Sequence, residues 1–477
     1  MLTRFRFKSK YFIIETLKMK IRLNQKAEKY FNEKVVDFLY DLKPDRAKKQ
    51  KTKIVESSAA NAFVTEHFTE KDILEFTSMG YVDNLTGRQV SRYFIADNGS
   101  IGLDQKSYAN FDKFIEGLYR KKEINSLLSQ SYLADCVFKW FEEKYKGKLS
   151  DETNLMSFIK EKGEESIKSF KISLPISFLS IEKPFKVEKV LFDYFTKDFC
   201  DRYIGNAKSK RKKHGKIDEN GFSLFETRFR KKYQGTVFAS IIVEAEQQRA
   251  IEIAKFQIDK ALTVLRFFSP STFLPEIPSY FDIMGKTDIP KSHVFSFVNQ
   301  NDIPLVHESI DERRMHRWSI SSHEFSEVNK MGLGLAANLI FKEDPSEFED
   351  SVLNSIYLFG RALTSKEFQD KIVYALVSIE TLLLQNQSDP IQSNVGLRLA
   401  FLTESKPLKR KNIKEIINKA YKFRSSYIHH EKISKDWELL KMIQHTIWTA
   451  IRNALVSVDR FKTRKEFFDY IENMILS

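Results

Sequence analysis

IKEIINKAYKFRSSYIHH, residues 413 to 430, is the stretch on which the reading of this chain turns. Ile413, Ile416, Ile417 and Ala420 share one stripe of a helix with a 3.6-residue period. The next place on that stripe, four residues on, is Arg424, so a cation stands in a core row. Ser425, Ser426, Tyr427 and Ile428 follow, and then His429 and His430. An arginine and a histidine are thus five positions apart near a helix end. Five positions turn an ideal helix by about 500°, which leaves the two side chains roughly 140° apart. They converge where the helix ends, bulges or meets a second copy. A two-fold axis would gather two Arg and two His into one groove, which predicts a homodimer.

Such a set suits metal-free RNA cleavage, in which the 2′-hydroxyl attacks the neighbouring phosphodiester and leaves a cyclic phosphate. Imidazole titrates near neutrality and can take the hydroxyl proton or protonate the leaving oxygen. Guanidinium offers paired donors to a phosphate that gains charge in the transition state.

Outward from this stretch, every segment from about Ser346 reads as helix, separated by short Ser, Pro or Lys breaks: 346 to 363, 366 to 386, 391 to 404, 410 to 429, 435 to 459 and 463 to 475. The second places Phe368, Ile372, Leu376, Ile379 and Leu383 on one stripe, as a bundle core requires.

YKFRSSYIHH resembles the HEPN motif of an Arg, four to six residues, then a His, and its RSSYIH core is similar to the ApeA-like HEPN branch of bacterial anti-phage systems. The resemblance covers roughly residues 340 to 477. KIVYALVSIETLLL is similar to that branch's helix ending in an acidic residue and leucines, and VGLRLAFLT to its Arg-bearing helix. It implies Arg424 and His429 as the catalytic pair. Glu380, Arg398, Ser425, Tyr427 and His430 are implied as supporting positions. Further implications are a dimeric, metal-independent endoribonuclease without cofactor, acting in abortive infection on RNA, with tRNA the first candidate and a phage protein as trigger. The sequence departs from the branch at His430, where Gly is commoner, leaving open which imidazole faces the phosphate. ISLPISFLSIEKPF and ASIIVEAEQQRAIEIAKF also resemble, less specifically, segments preceding this HEPN type. That implies a sensing or regulatory domain.

Read from its residues, the middle of the chain changes character near residue 169. SFKISLPISFLSIEKPFKVEKVLFDYF alternates apolar and polar residues with Pro breaks, as short strands do. GTVFASIIVEAE is a further strand, leading into a helix with Ile251, Ala254, Ile258, Ala261, Leu262 and Leu265 on one face, and SHVFSFV and the Trp318 segment read as strands. Between them NAKSKRKKHGKIDENG reads as an exposed loop. Lys208, Lys210, Arg211, Lys212 and Lys213 there are candidate contacts to RNA phosphates, or a solvated tip that discourages aggregation. Before this, residues 23 to 165 read mostly helical, with a basic connection over 42 to 53 and a small hairpin around Asp83 and Asn84. The expected organisation is an α+β multidomain protein: a mainly helical region over 1–165, a mixed α/β domain over 166–339 and an all-α bundle over 340–477.

A net charge of +14 favours an anionic partner such as nucleic acid. Only Cys136 and Cys200 are present, far apart, so neither a disulfide framework nor a zinc cluster is expected and a cytoplasmic location fits. MLTRFRFKSKYFIIETLKMK is interrupted by charge and lacks a cleavage site, so it is read as folded protein, and no apolar run approaches a membrane span. There is no phosphate-binding Gly-rich loop, zinc-protease helix or nucleophile elbow. A metal site on His429, His430 and His445 wants a third ligand at a favoured spacing. His307, His316 and His323 read as ordinary surface or core histidines. The competing reading of Arg424 is a half-buried ion pair with Glu380 that ties two helices together. In that version the bundle is a non-catalytic dimerisation or RNA-binding module.

Overall fold

The computed structural model describes residues 21–45, 78–83, 86–97, 99–150, 152–214, 219–286, 291–296, 305–310, 316–385, 391–428 and 435–477. The protein is mixed α/β, with a helical carboxy-terminal region and sheet in the middle. Two compact units are distinguished, one formed by Met1–Phe170 with Ile242–Ile253 and the other by Lys171–Ile241 with Ala254–Ser477.

The first unit runs α1 (Gln25–Lys34), α2 (Val36–Tyr40), β1 (Lys43–Pro44), β2 (Ser78–Val82), β3 (Gln89–Ala96), β4 (Gly99–Leu103), α3 (Gln105–Tyr119), α4 (Lys122–Asn125), α5 (Gln130–Tyr145) and α6 (Leu155–Ser166). Asn24, Asp104, Ser129 and Asn154 start α1, α3, α5 and α6 by accepting from backbone N–H groups of the first turn. The four strands form an antiparallel sheet in the order β1-β4-β3-β2. Sequence pattern points only to the hairpin of β2 and β3; Asn84 and residues 46–53 lie outside the described residues. Gly102 is needed where it stands, since a Cβ there would collide with the Arg92 carbonyl. The core is built on phenyl rings, among them Phe31, Phe94, Phe111, Phe138 and Phe141. Arg92 is buried beside them, 2.8 Å from Asp135 and over the Phe138 ring.

The second unit contains most of β5 (Lys168–Ser177), then β6 (Leu179–Ile181), β7 (Phe185–Val187), β8 (Val190–Tyr194), α7 (Lys197–His214), α8 (Glu219–Tyr233) and β9 (Val237–Ala245), whose end passes into the first unit. The chain returns along α9 (Gln247–Phe267) to β10 (Asp282–Ile283), β11 (Lys291–Ser296), β12 (Leu305–Ile310), β13 (Trp318–Ile320), α10 (Ser322–Lys330) and α11 (Leu333–Ile340). One sheet has the order β10-β5-β9-β8-β7, while β11 pairs with β12 and β13 pairs in parallel with β6. The stripe expected on α9 is buried at Ala254, Ile258, Ala261, Leu262 and Leu265.

Of residues 206–221, which read as loop from sequence, 206–214 are instead helical and complete α7, 219–221 begin α8, and 215–218 lie outside the described residues. Lys and Arg are good helix formers. The preceding turns of α7 are anchored by Cys200, Ile204 and Ala207, which share a cluster with Phe222, Phe225 and Phe229 of α8. Density of charge does not imply irregular backbone here.

The remaining helices are α12 (Glu347–Thr364), α13 (Phe368–Leu383), α14 (Ile391–Thr403), α15 (Pro407–Ile428), α16 (Trp437–Val456) and α17 (Arg464–Leu476). Ser346 opens α12 with a capping box to Glu349. α13 packs on α12, α14, α15 and α16, and its stripe from Phe368 to Leu383 is buried as the pattern requires. Arg398 of α14 donates from Nη1 to the Leu383 carbonyl at 2.7 Å, and Arg464 of α17 donates to the carbonyls of Thr381 and Leu384. Two guanidinium groups therefore take up the Thr381, Leu383 and Leu384 carbonyls at the end of α13, where cations also suit the helix dipole.

Candidate functional site

Arg424 is placed by α15. Ile413, Ile417 and Ala420 are buried on the face turned to the bundle, and Arg424 continues that row one turn on. Its Nη1 donates to Glu380 Oε1 of α13 at 2.6 Å, and the Tyr421 hydroxyl donates to the same oxygen at 2.9 Å. The Arg424 side chain keeps 29% of its surface exposed and that of Glu380 13%, so the pair is half-buried with the guanidinium on the solvent side. Burial, then the Glu380 charge and hydrogen bond, push the Tyr421 phenol well above its ordinary range, and it stays a neutral donor. One carboxylate oxygen thus accepts from a cation and a phenol. A guanidinium has five N–H donors, so one hydrogen bond leaves others for a phosphate.

Of the residues singled out from sequence, Glu380 and Arg424 come together. Arg398 does not join them; besides the Leu383 carbonyl it reaches Glu472 of α17 at 3.8 Å and lies over the Phe468 ring. Ser425 is exposed on α15. Tyr427 lies on the last described turn of α15, its side chain outside the description, and His429 and His430 lie outside the described residues. His445 sits on α16 with its ring against Trp448 and Phe273. Among the described residues there is no group of three or more His, Cys, Asp or Glu that could hold a metal ion. Lys208 pairs with Glu219 at 2.9 Å and lies over the Phe222 ring, whereas Lys210, Arg211, Lys212 and Lys213 occupy the last turn of α7 with their side chains outside the description.

Tyr421 escapes the sequence reading. The signal for it is its place three residues before Arg424, which puts both on one helix face. Lys371 also escapes it: fully buried at the start of α13, its ammonium reaches, among the described residues, only the Ala362 carbonyl at 3.4 Å, and burial pulls its pKa down to about 8. A cleft of about 540 Å³ lies along α9, α12 and the end of α13, lined by Asp259, Arg266, Tyr357 and Arg361 among others; Thr381 borders it, next in sequence to Glu380.

No family model, curated protein or solved structure matches the chain. Among the described residues, no helix is long and apolar enough to cross a membrane.

Proposed function

We propose that the helical bundle is a metal-independent endoribonuclease of the ApeA-like HEPN type, working as a homodimer in anti-phage defence by abortive infection. The observation that carries this reading is the Arg424–Glu380 pair: a cation on a core row, oriented by a carboxylate and left part-exposed, five positions before His429. In this mechanism Glu380 and Tyr421 position the guanidinium, which takes up charge on the phosphate. His429 moves the proton of the 2′-hydroxyl or of the leaving oxygen. Residues upstream of the bundle hold the nuclease silent until a phage component shifts the balance towards the active state.

The specific observation favouring a non-catalytic module is that Glu380 already has two donors, as a helix clamp would. Cells separate the two readings. Expression of the wild type is expected to slow growth upon phage challenge and protect the culture, with His429→Ala and Arg424→Ala losing both effects at equal protein level. Full protection by either variant favours the clamp.

A further inference from the structure

In the first unit, α1 and the end of α3 with the two residues after it border an open groove of about 620 Å³, a volume in the range of small-ligand pockets. Four cations line it, Lys26, Lys113, Arg120 and Lys121, and no Asp or Glu is among the described residues that do so. Two of the nearby acids are paired: Glu28 with Lys160 at 2.6 Å, away from the groove, and Glu116 with Arg120 at 2.5 Å, which neutralises one of the four. Lys26, Lys113 and Lys121 have no carboxylate partner among the described residues. Three ammonium groups around one concavity concentrate positive potential there.

The groove also has an aromatic wall. Tyr30 is 56% exposed, and its ring is braced edge-on against Phe31, which is buried against Phe114. An exposed ring held from behind is a stacking platform for a base, and lysines beside it suit the attached phosphates. The floor at Gly117 is open, with nothing within 4 Å of the place a Cβ would occupy.

We propose that this groove binds a nucleotide, its base against Tyr30 and its phosphate among Lys26, Lys113 and Lys121. The shared chemistry, a nucleoside phosphate, can come from a free mononucleotide or from one residue of a single RNA strand. The site goes beyond the proposed nuclease centre and does not depend on it.

The test uses the full chain and two probes: adenosine monophosphate, and a 2′-O-methyl oligoribonucleotide of about eight nucleotides, which is long enough for a strand-binding groove and has no 2′-hydroxyl to attack. Each is titrated against wild type, Gly117→Leu, the double variant Lys113→Glu with Lys121→Glu, and the off-groove control Lys29→Glu. A 4-thiouridine in the oligonucleotide adds a crosslinking readout, mapped by mass spectrometry. Gly117→Leu replaces a poor helix former with a good one and fills the floor without changing charge, so thermal unfolding should hold or rise. The expected result is at least a tenfold weaker affinity for Gly117→Leu and for the double variant, with Lys29→Glu within twofold. Crosslinks should fall at Tyr30 or on the 113–121 peptide. Loss with both probes identifies a nucleotide pocket, and loss with the oligonucleotide alone a strand site. Undiminished affinity of Gly117→Leu for both probes, or crosslinks only outside residues 24–31 and 113–121, overturns the proposal.

Discussion

Arg424 and Glu380 meet at 2.6 Å, tying the far part of α15 to the far part of α13 through a single carboxylate oxygen that Tyr421 also occupies. This pairing can be weighed by a double-mutant cycle of Arg424→Ala and Glu380→Ala. Because the guanidinium is part-exposed, the coupling should be about 1 kcal/mol rather than that of a fully buried pair. Denaturant midpoints of the single and double variants measure it, and strictly additive effects would mean the pair adds nothing to stability.

Tyr421→Phe removes one donor to a charged acceptor while keeping the ring packed. A loss of about 1 kcal/mol is expected, together with a reduced turnover number at nearly unchanged KM, because the guanidinium loses an orienting neighbour. A turnover number equal to wild type would restrict Tyr421 to holding the helices.

Lys371 makes a pH prediction. Its folded pKa, about 8, lies below the ordinary 10.5, so the unfolded chain binds more protons between these values and stability rises with pH across that window. Below pH 8 the buried ammonium costs the fold on the order of 3 kcal/mol. Lys371→Met should therefore raise the thermal midpoint at pH 7 and flatten the rise from pH 8 to 10.5. Parallel pH profiles for variant and wild type would place the amine in water.

The basic turn of α7 predicts a salt effect. Replacing Lys210, Arg211, Lys212 and Lys213 with Ala keeps helix formers in place, so circular dichroism should not change. If these groups meet phosphates, the slope of log affinity for single-stranded RNA against log salt should shrink by about 0.7 for each phosphate no longer neutralised. An unchanged slope assigns them to solvent.

The bundle is legible because its helices carry long, clean apolar stripes: Phe368 to Leu383 reads directly as a buried face, and Arg424 is conspicuous as the exception on its own row. The sheet of the first unit is less legible because Ser91, Arg92, Tyr93 and Phe94 of β3 are all buried, which erases the alternation that marks a half-exposed strand. α7 is hidden by its Lys and Arg run, which signals exposure but says nothing of backbone form. Within the candidate site, the arginine is visible from its place on the stripe, Glu380 from the family resemblance, and Tyr421 from neither. The destination of Arg398, the carbonyl end of α13, depends on a helix packing that no local pattern encodes.

Chemistry at Arg424 and His429 is the central claim, and the most direct measurement is RNA cleavage by the purified protein in excess chelator, with the product ends identified. Wild type, Arg424→Ala, His429→Ala and His430→Ala would be compared at matched folding. The predicted result is cleavage leaving a 2′,3′-cyclic phosphate, lowered at least about a hundredfold, as for loss of a general acid–base, by His429→Ala and comparably by Arg424→Ala. Cleavage that persists in both variants, or that leaves other ends, would contradict it.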